Sequence, residues 1–198
     1  MPYFYSRMEK PASDKQLIRD KYTHLRDALP EKEAAVLSEI IANKLLELPI
    51  WELNYFSLFL PMATKKEVDT HLILPLLQGH DKEICLPKVV SQTAMKHYLL
   101  TDNTLLKNNK WGIVEPQNGI EVPAQLIDVV VVPLLAFDLK GNRLGYGKGF
   151  YDRFFAQCKP DVIRIGLSYF NAEEGLLPKE STDVPLNYCI TPEKTYKF

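Results

Sequence analysis

The hydrophobic positions divide the chain into segments of helical period and short apolar runs. Ile18, Tyr22, Leu25 and Leu29 recur at helical spacing, and Ser13 with Gln16 fits a capping box, which predicts a helix from about residue 14. Pro30 breaks that helix and starts a second, with Val36, Leu37, Ile40, Ile41, Leu45 and Leu48 as its core face and Pro49 at its end. The run 55–60 is short and apolar enough for a buried strand. Asp69 to Leu77 reads as a helix interrupted by Pro75. Glu83 to Leu86 and Lys96 to Leu100 read as short strands. Residues 101–125 are polar, with Gly112, Pro116, Gly119 and Pro123, and read as loop and short pieces.

Ile127 to Val132 is the strongest strand signal, β-branched throughout apart from Asp128. A helix follows over Phe150 to Cys158, then strands over Val162 to Leu167 and Leu186 to Ile190. Strands alternating with helices predict an α/β fold, a mostly parallel sheet flanked by helices in a three-layer, Rossmann-like arrangement. Residues 1–12 have no periodicity and read as a loose tail. No repeat or linker divides 13–198, which reads as a single domain.

Composition narrows the function classes. Of 198 residues 46% are hydrophobic, and the net charge is −1. No global basic field recruits nucleic acid or an anionic membrane. No apolar run is long enough for a membrane span, and the N-terminus lacks the apolar core of a signal peptide. Cys85, Cys158 and Cys189 are odd in number and widely spaced, the pattern of reduced thiols in a cytoplasmic protein. His24, His71, His80 and His97 show no zinc-ligand spacing with one another or with a cysteine.

The segment Asn142-Arg-Leu-Gly-Tyr-Gly-Lys-Gly-Phe-Tyr-Asp-Arg153 is where chemistry is expected. Gly145, Gly147 and Gly149 alternate with Tyr146 and Lys148, directly before a predicted helix. Glycines let the backbone approach a ligand. Amides at a helix start, with Arg143 and Lys148, make an anion site. The loop follows a strand, where α/β sheets bind ligands. It has neither the Gly-Lys-Ser/Thr ending of a P-loop nor the spacing of a dinucleotide-binding turn.

Other candidates stand beside it. Asp152 falls in the first turn of the helix, where it either shares a Mg²⁺ with phosphate or simply favours the helix start. Lys15, Arg19, Tyr22 and Arg26 lie at i, i+4, i+7 and i+11, one stripe beside the apolar face of the first helix. That stripe either reaches into a cleft or is solvated. Glu67 sits just past a strand end and alone is an ordinary surface acid. Trp111 either stacks on a flat heterocycle or packs in the core. Asp183 is a ligand, a helix cap or an Asx turn.

Taken in order, these segments resemble the 5-formyltetrahydrofolate cyclo-ligase (methenyltetrahydrofolate synthetase) family. The resemblance rests on Lys15-Gln-Leu-Ile-Arg19, Pro61 with Glu67-Val-Asp-Thr70, and Trp111-Gly-Ile-Val-Glu-Pro116. It continues through the strand 129–133, the segment Asn142 to Asp152, and Asp183 with its following strand. It covers about residues 13 to 192, and the glycine motif is its most specific part. It implies an ATP-dependent ring closure: 5-formyltetrahydrofolate and ATP give 5,10-methenyltetrahydrofolate, ADP and phosphate. By that resemblance Lys15, Arg19 and the loop Arg143, Leu144, Gly145, Tyr146, Gly147, Lys148, Gly149, Phe150 and Tyr151 hold ATP. Arg143, Lys148 and Tyr151 serve catalysis. Leu60, Glu67, Trp111 and the stretch Tyr146 to Phe150 face the folate, with Glu67 on the pterin amide edge. Asp152 and Asp183 hold Mg²⁺. Phe150 stands where many members carry tyrosine. A cytoplasmic monomer acting only on small molecules completes the expectation. The competing readings are a sugar-phosphate isomerase or CoA-transferase relative, which needs no ATP, and a nucleotide-binding module without turnover.

Overall fold

The run of four valines is the middle of the sheet. A computed structural model describes residues 14–198. Helices α1 (Asp14–Ala28) and α2 (Glu31–Leu45) precede β1 (Tyr55–Ser57). Single 3-10 turns at Ala63–Lys65 and Thr70–Leu72 lead into α3 (Leu74–Gly79). Then come β2 (Glu83–Val89), β3 (Met95–Leu99), a hairpin of β4 (Leu106–Asn108) and β5 (Val114–Pro116), and β6 (Glu121–Val122). The chain returns through β7 (Val129–Pro133), a small hairpin of β8 (Ala136–Phe137) and β9 (Arg143–Leu144), and α4 (Phe150–Phe155). It closes with β10 (Ile163–Leu167), β11 (Tyr188–Ile190) and β12 (Thr195–Lys197).

Eight strands form one sheet in the order β12-β11-β10-β7-β1-β2-β3-β6. The five from β11 to β2 run parallel, and β12, β3 and β6 join the two edges by antiparallel pairing. The fold is therefore α/β with a mostly parallel centre. Strand alternation splits the valines between two cores. Val129 and Val131 pack with Ile41, Leu45, Ile73 and Leu77 of the helices on one face. Val130 and Val132 pack with Phe154 and Phe155 of α4 on the other. Helices thus lie on both faces, which is the three-layer arrangement.

Several boundaries shift for physical reasons. The proposed Ser13 cap lies outside the described residues, within which α1 covers Asp14–Ala28. Its inward face is Tyr22 and Arg26, while Leu25 is 40% exposed. The basic stripe itself turns inward, because Arg26 meets acceptors there. In α2, Ser38 and Ala42 are buried, whereas Val36 and Ile40 are exposed. The Ser38 hydroxyl accepts from the Asp69 amide at 3.0 Å, and that bond sets the helix phase. Leu58 to Leu60 are buried but continue past the three residues of β1. The segment 69–77 is a 3-10 turn and a separate helix, with Pro75 in the first turn, where a missing N–H costs nothing. Strand β2 runs through Pro87 to Val89, and α4 stops at Phe155, short of Cys158. The hairpins and β12 are too short to leave a periodic signal.

His97 is a core residue. It is 1% exposed, stacks on Phe154 at 4.1 Å and bonds Ser57 Oγ through Nε2 at 2.8 Å. Burial pushes its pKa down to about 3. In the unfolded chain a histidine binds a proton below about pH 6.5. The folded state resists that proton, so this site's contribution falls as pH drops from about 6.5 toward the depressed value. His97→Gln should therefore lose stability relative to the parent at neutral pH, and the deficit should shrink at pH 5 in urea titrations. A deficit independent of pH would contradict a neutral buried imidazole.

Candidate functional site

Loop 145–149 leaves β9 and enters α4 at the carboxyl edge of the parallel strands. Gly147 has φ +86° and Gly149, the residue before α4, has φ +64°, conformations that side chains strain. A Cβ on Gly147 would lie 3.1 Å from the Arg19 guanidinium carbon, so the bare backbone lets α1 and the loop meet. Arg19 Nε donates to the Gly145 carbonyl at 3.0 Å. Arg153 Nη2 donates to the Lys148 carbonyl at 2.7 Å, fixing the far end of the loop. The Lys148 side chain is exposed and has no hydrogen-bond partner among the described residues. Helix α4 has only six residues, so its dipole is short, and the Lys148 side chain and the loop amides lie before it.

Four predicted residues have other surroundings. Leu144 is buried against Tyr22, Leu135, Ala136 and Leu177, and Leu60 is buried in the core beside β1. Phe150 is half-buried with the Arg153 guanidinium 5.4 Å from its ring centre. Tyr151 is half-buried, its pKa raised by burial, and its hydroxyl has no hydrogen bond among the described residues.

Glu67 is 6% exposed, not the surface acid its sequence position suggests. The Tyr146 hydroxyl donates to Oε1 at 2.7 Å and the Met62 amide donates to Oε2 at 2.7 Å. The Tyr169 hydroxyl donates to the Glu67 carbonyl at 2.9 Å. Burial raises the carboxyl's pKa, opposed by the Met62 amide, Tyr146, Arg26 and Lys65. Behind Tyr146 lies Arg26, whose Nη1 donates to the phenol oxygen at 2.9 Å.

A second network gathers the charged candidates. Arg143 Nη2 bonds Asp152 Oδ1 at 2.7 Å, and Nη1 donates to the Val184 carbonyl. The Val184 amide donates to the same Asp152 oxygen at 3.0 Å, so α4 is tied to the residue after Asp183. Lys15 Nζ sits 3.0 Å from both Asp183 Oδ2 and Glu180 Oε1. Burial alone would lower the Lys15 pKa, but the two carboxylates outweigh it and hold it up. Burial alone would raise Asp183, but the Glu180 amide and Lys15 hold it down. Sequence spacing shows none of these joins, because Lys15 and Asp183 are 168 residues apart.

Trp111 is 50% exposed, which settles the alternatives against a core tryptophan. With Val89, Val90, Asn109, Lys110 and Glu115 it lines a cleft of about 430 Å³. Lys110 Nζ stands 4.6 Å from its ring centre. Glu115, 4% exposed, fixes this wall by accepting from the Val89 amide at 2.9 Å. Arg153 Nε donates to the Thr93 carbonyl at 2.7 Å, joining the β2–β3 turn beside this cleft to α4. The structure therefore brings Lys15, Arg19, the glycine loop, Asp152 and Asp183 into one connected region, with Glu67 joined through Tyr146. Arg26, Glu115 and Arg153 are the residues that sequence reasoning left unassigned.

The sequence signature of the 5-formyltetrahydrofolate cyclo-ligase family matches residues 11–192. The chain belongs to this family. The 5-formyltetrahydrofolate cyclo-ligase of Haemophilus influenzae is 39% identical over 127 residues, 61% of this chain and 67% of that protein. The probable 5-formyltetrahydrofolate cyclo-ligase of Schizosaccharomyces pombe is 30% identical, covering 79% of this chain and 84% of its own. Among solved structures, the 5,10-methenyltetrahydrofolate synthetase of Aquifex aeolicus superimposes with a TM-score of 0.80 at 34% identity, covering 92% of each chain. The Mycoplasma pneumoniae synthetase gives 0.73 at 26% identity, covering 90% of this chain and 98% of that one. The family reaction is the ATP-dependent conversion of 5-formyltetrahydrofolate to 5,10-methenyltetrahydrofolate.

Proposed function

We propose that this chain performs the family's ring closure at the region joining the glycine loop, the α1 cations and Glu67. The observation that carries the location is the loop itself. Its outer side is backbone with Lys148, which is unpaired among the described residues, and its Tyr146 bonds Glu67. Nucleotide and folate would meet there. Lys148, Arg19 and the loop amides hold the polyphosphate, and Glu67 takes hydrogen bonds from the pterin edge. The N5-formyl oxygen attacks the γ-phosphorus, and ADP leaves. N10 then adds to the activated formyl carbon and gives up its proton to solvent, and phosphate departs with that oxygen. Positioning and charge neutralisation supply the rate. Arg143 steadies Asp152, and Tyr151 keeps its proton on a hydroxyl near the loop. Trp111 covers the flat ring from the cleft side.

The carboxylates suit a Mg²⁺ that arrives with ATP. Asp152 Oδ2 and Asp183 Oδ1 accept no hydrogen bond among the described residues, and their segments are joined through Val184. Among the described residues no group of three or more His, Cys, Asp or Glu could hold a cation alone, so phosphate oxygens would complete the shell. Bound there, the ion neutralises charge on the phosphates. Asp152→Asn should raise the magnesium concentration for half-maximal rate by about tenfold and cut kcat by at least as much. A magnesium titration identical to the parent's, with an unchanged melting temperature, would exclude this role.

The same reading takes 13–198 as one domain in a cytoplasmic monomer. Its support is the near-neutral charge and three free thiols. Among the described residues no helix is long and apolar enough to cross a membrane.

A further inference from the structure

Lys15 and Arg19 of the basic stripe face the charged network and the loop, but Arg26 is shut away from solvent at 2% exposure. A guanidinium stays charged, and burying it is costly unless its donors are met. Nη1 donates to the Tyr146 hydroxyl at 2.9 Å, Nη2 donates to the Leu134 carbonyl after β7, and Nε has no partner among the described residues. No carboxylate touches it directly among the described residues. The nearest acid along its bonds is Glu67, one hydroxyl away. The Tyr146 oxygen accepts from Arg26, so its single proton points at Glu67 Oε1, 2.7 Å away.

The same helix also holds the loop that carries Glu67. Lys66, a non-glycine at φ +41°, places Nζ on the Asp27 and Leu29 carbonyls at 2.7 and 2.8 Å. This strained residue stays in place because its ammonium meets carbonyls at the end of α1. Glu67 follows immediately, and its second oxygen is fixed by Met62. Each carboxylate oxygen then carries one bond and keeps a lone pair in a set direction.

We propose that Arg26 is a positioning residue for folate recognition, holding the Tyr146 hydroxyl against Glu67 so that the carboxylate and the glycine loop share one fixed point. This rests on the assignment of Glu67 to the folate's amide edge. Groups facing Glu67 are Arg26 from α1, Lys65 from its own loop, Tyr146 and Tyr151 around the glycine loop, and Tyr169 after β10. Arg26 and Tyr146 favour the ionised carboxylate, so losing either moves its titration to higher pH.

The test is steady-state kinetics across pH for Arg26→Leu, Arg26→Lys, Tyr146→Phe and Glu67→Gln. Arg26→Leu should raise the folate KM about tenfold while the ATP KM stays within about twofold, the size of a charge-assisted bond. The acid limb of kcat/KM for folate should move to higher pH, and Arg26→Lys should recover part of the loss. Combined with Tyr146→Phe the effects should not add, because both cut one chain of bonds. A purely structural role would instead lower kcat and raise both KM values together, with the acid limb unmoved, and would overturn the proposal. If Arg26→Leu does not fold, Tyr146→Phe decides, since it spares the bond to Leu134. The same folate-selective KM and pH shift supports the role, and its absence overturns it. If Glu67→Gln weakens folate but the Arg26 and Tyr146 variants do not, positioning alone is wrong. If Glu67→Gln leaves the folate KM unchanged, the Glu67 assignment fails and the role of Arg26 falls with it.

Discussion

Lys148→Ala raises the KM for ATP, or lowers kcat, by about ten- to a hundredfold, with no measurable change in melting temperature. The magnitude is that of a charge-assisted hydrogen bond to phosphate, about 1.5–3 kcal/mol. The stability side follows from surroundings. The Lys148 side chain is exposed and unpaired among the described residues, so the fold loses nothing with it. The loop keeps its path, because Arg153 holds the Lys148 backbone carbonyl and not its ammonium. Varying ATP at saturating folate measures the effect. A parent-like ATP profile would mean that this side chain does not hold the phosphates.

Glu67→Gln carries the second large effect. The carboxylate accepts from Tyr146 on one oxygen and from Met62 on the other. An amide has one acceptor oxygen, so its NH₂ must face one of those donors in a buried site. That mismatch costs about 1–3 kcal/mol, and the folate edge loses an anionic acceptor besides. The folate KM should rise by about a hundredfold, and the ATP KM far less. The pH profile gives an independent sign. Burial lifts the Glu67 carboxyl above the ordinary range. As pH falls through that raised value the group takes a proton and loses acceptor capacity, so folate binding weakens on the acid side. The glutamine variant should lack that limb. An acid limb retained in Glu67→Gln would assign it to another group.

The centre of the fold was legible because local and global signals agreed there. Val129 to Val132 are β-branched and buried on both faces, so no exposed side complicated the pattern. The glycine loop was legible because Gly147 and Gly149 occupy left-handed backbone that few other residues adopt. The phase of α2 was not, because Val36 and Ile40 are as apolar as Ile41 and Leu45. The face that turns in carries Ser38, whose hydroxyl meets the Asp69 amide and the Tyr169 hydroxyl. The burial of Glu67 and Arg26 was not legible for a related reason. Both are charged residues whose burial depends on partners far along the chain, Tyr146 in each case. Asp152 and Asp183 were proposed together through family resemblance. Their connection through Val184 is a tertiary fact that spacing does not carry.

The most direct test is a spectrophotometric assay of the purified chain with 5-formyltetrahydrofolate and Mg-ATP. Growth of the near-ultraviolet band of the methenyl product, dependent on both ATP and magnesium and accompanied by ADP release, is the predicted result. A flat trace from protein that is folded and shifts its melting temperature with Mg-ATP would contradict the account, leaving a nucleotide-binding chain without ring closure.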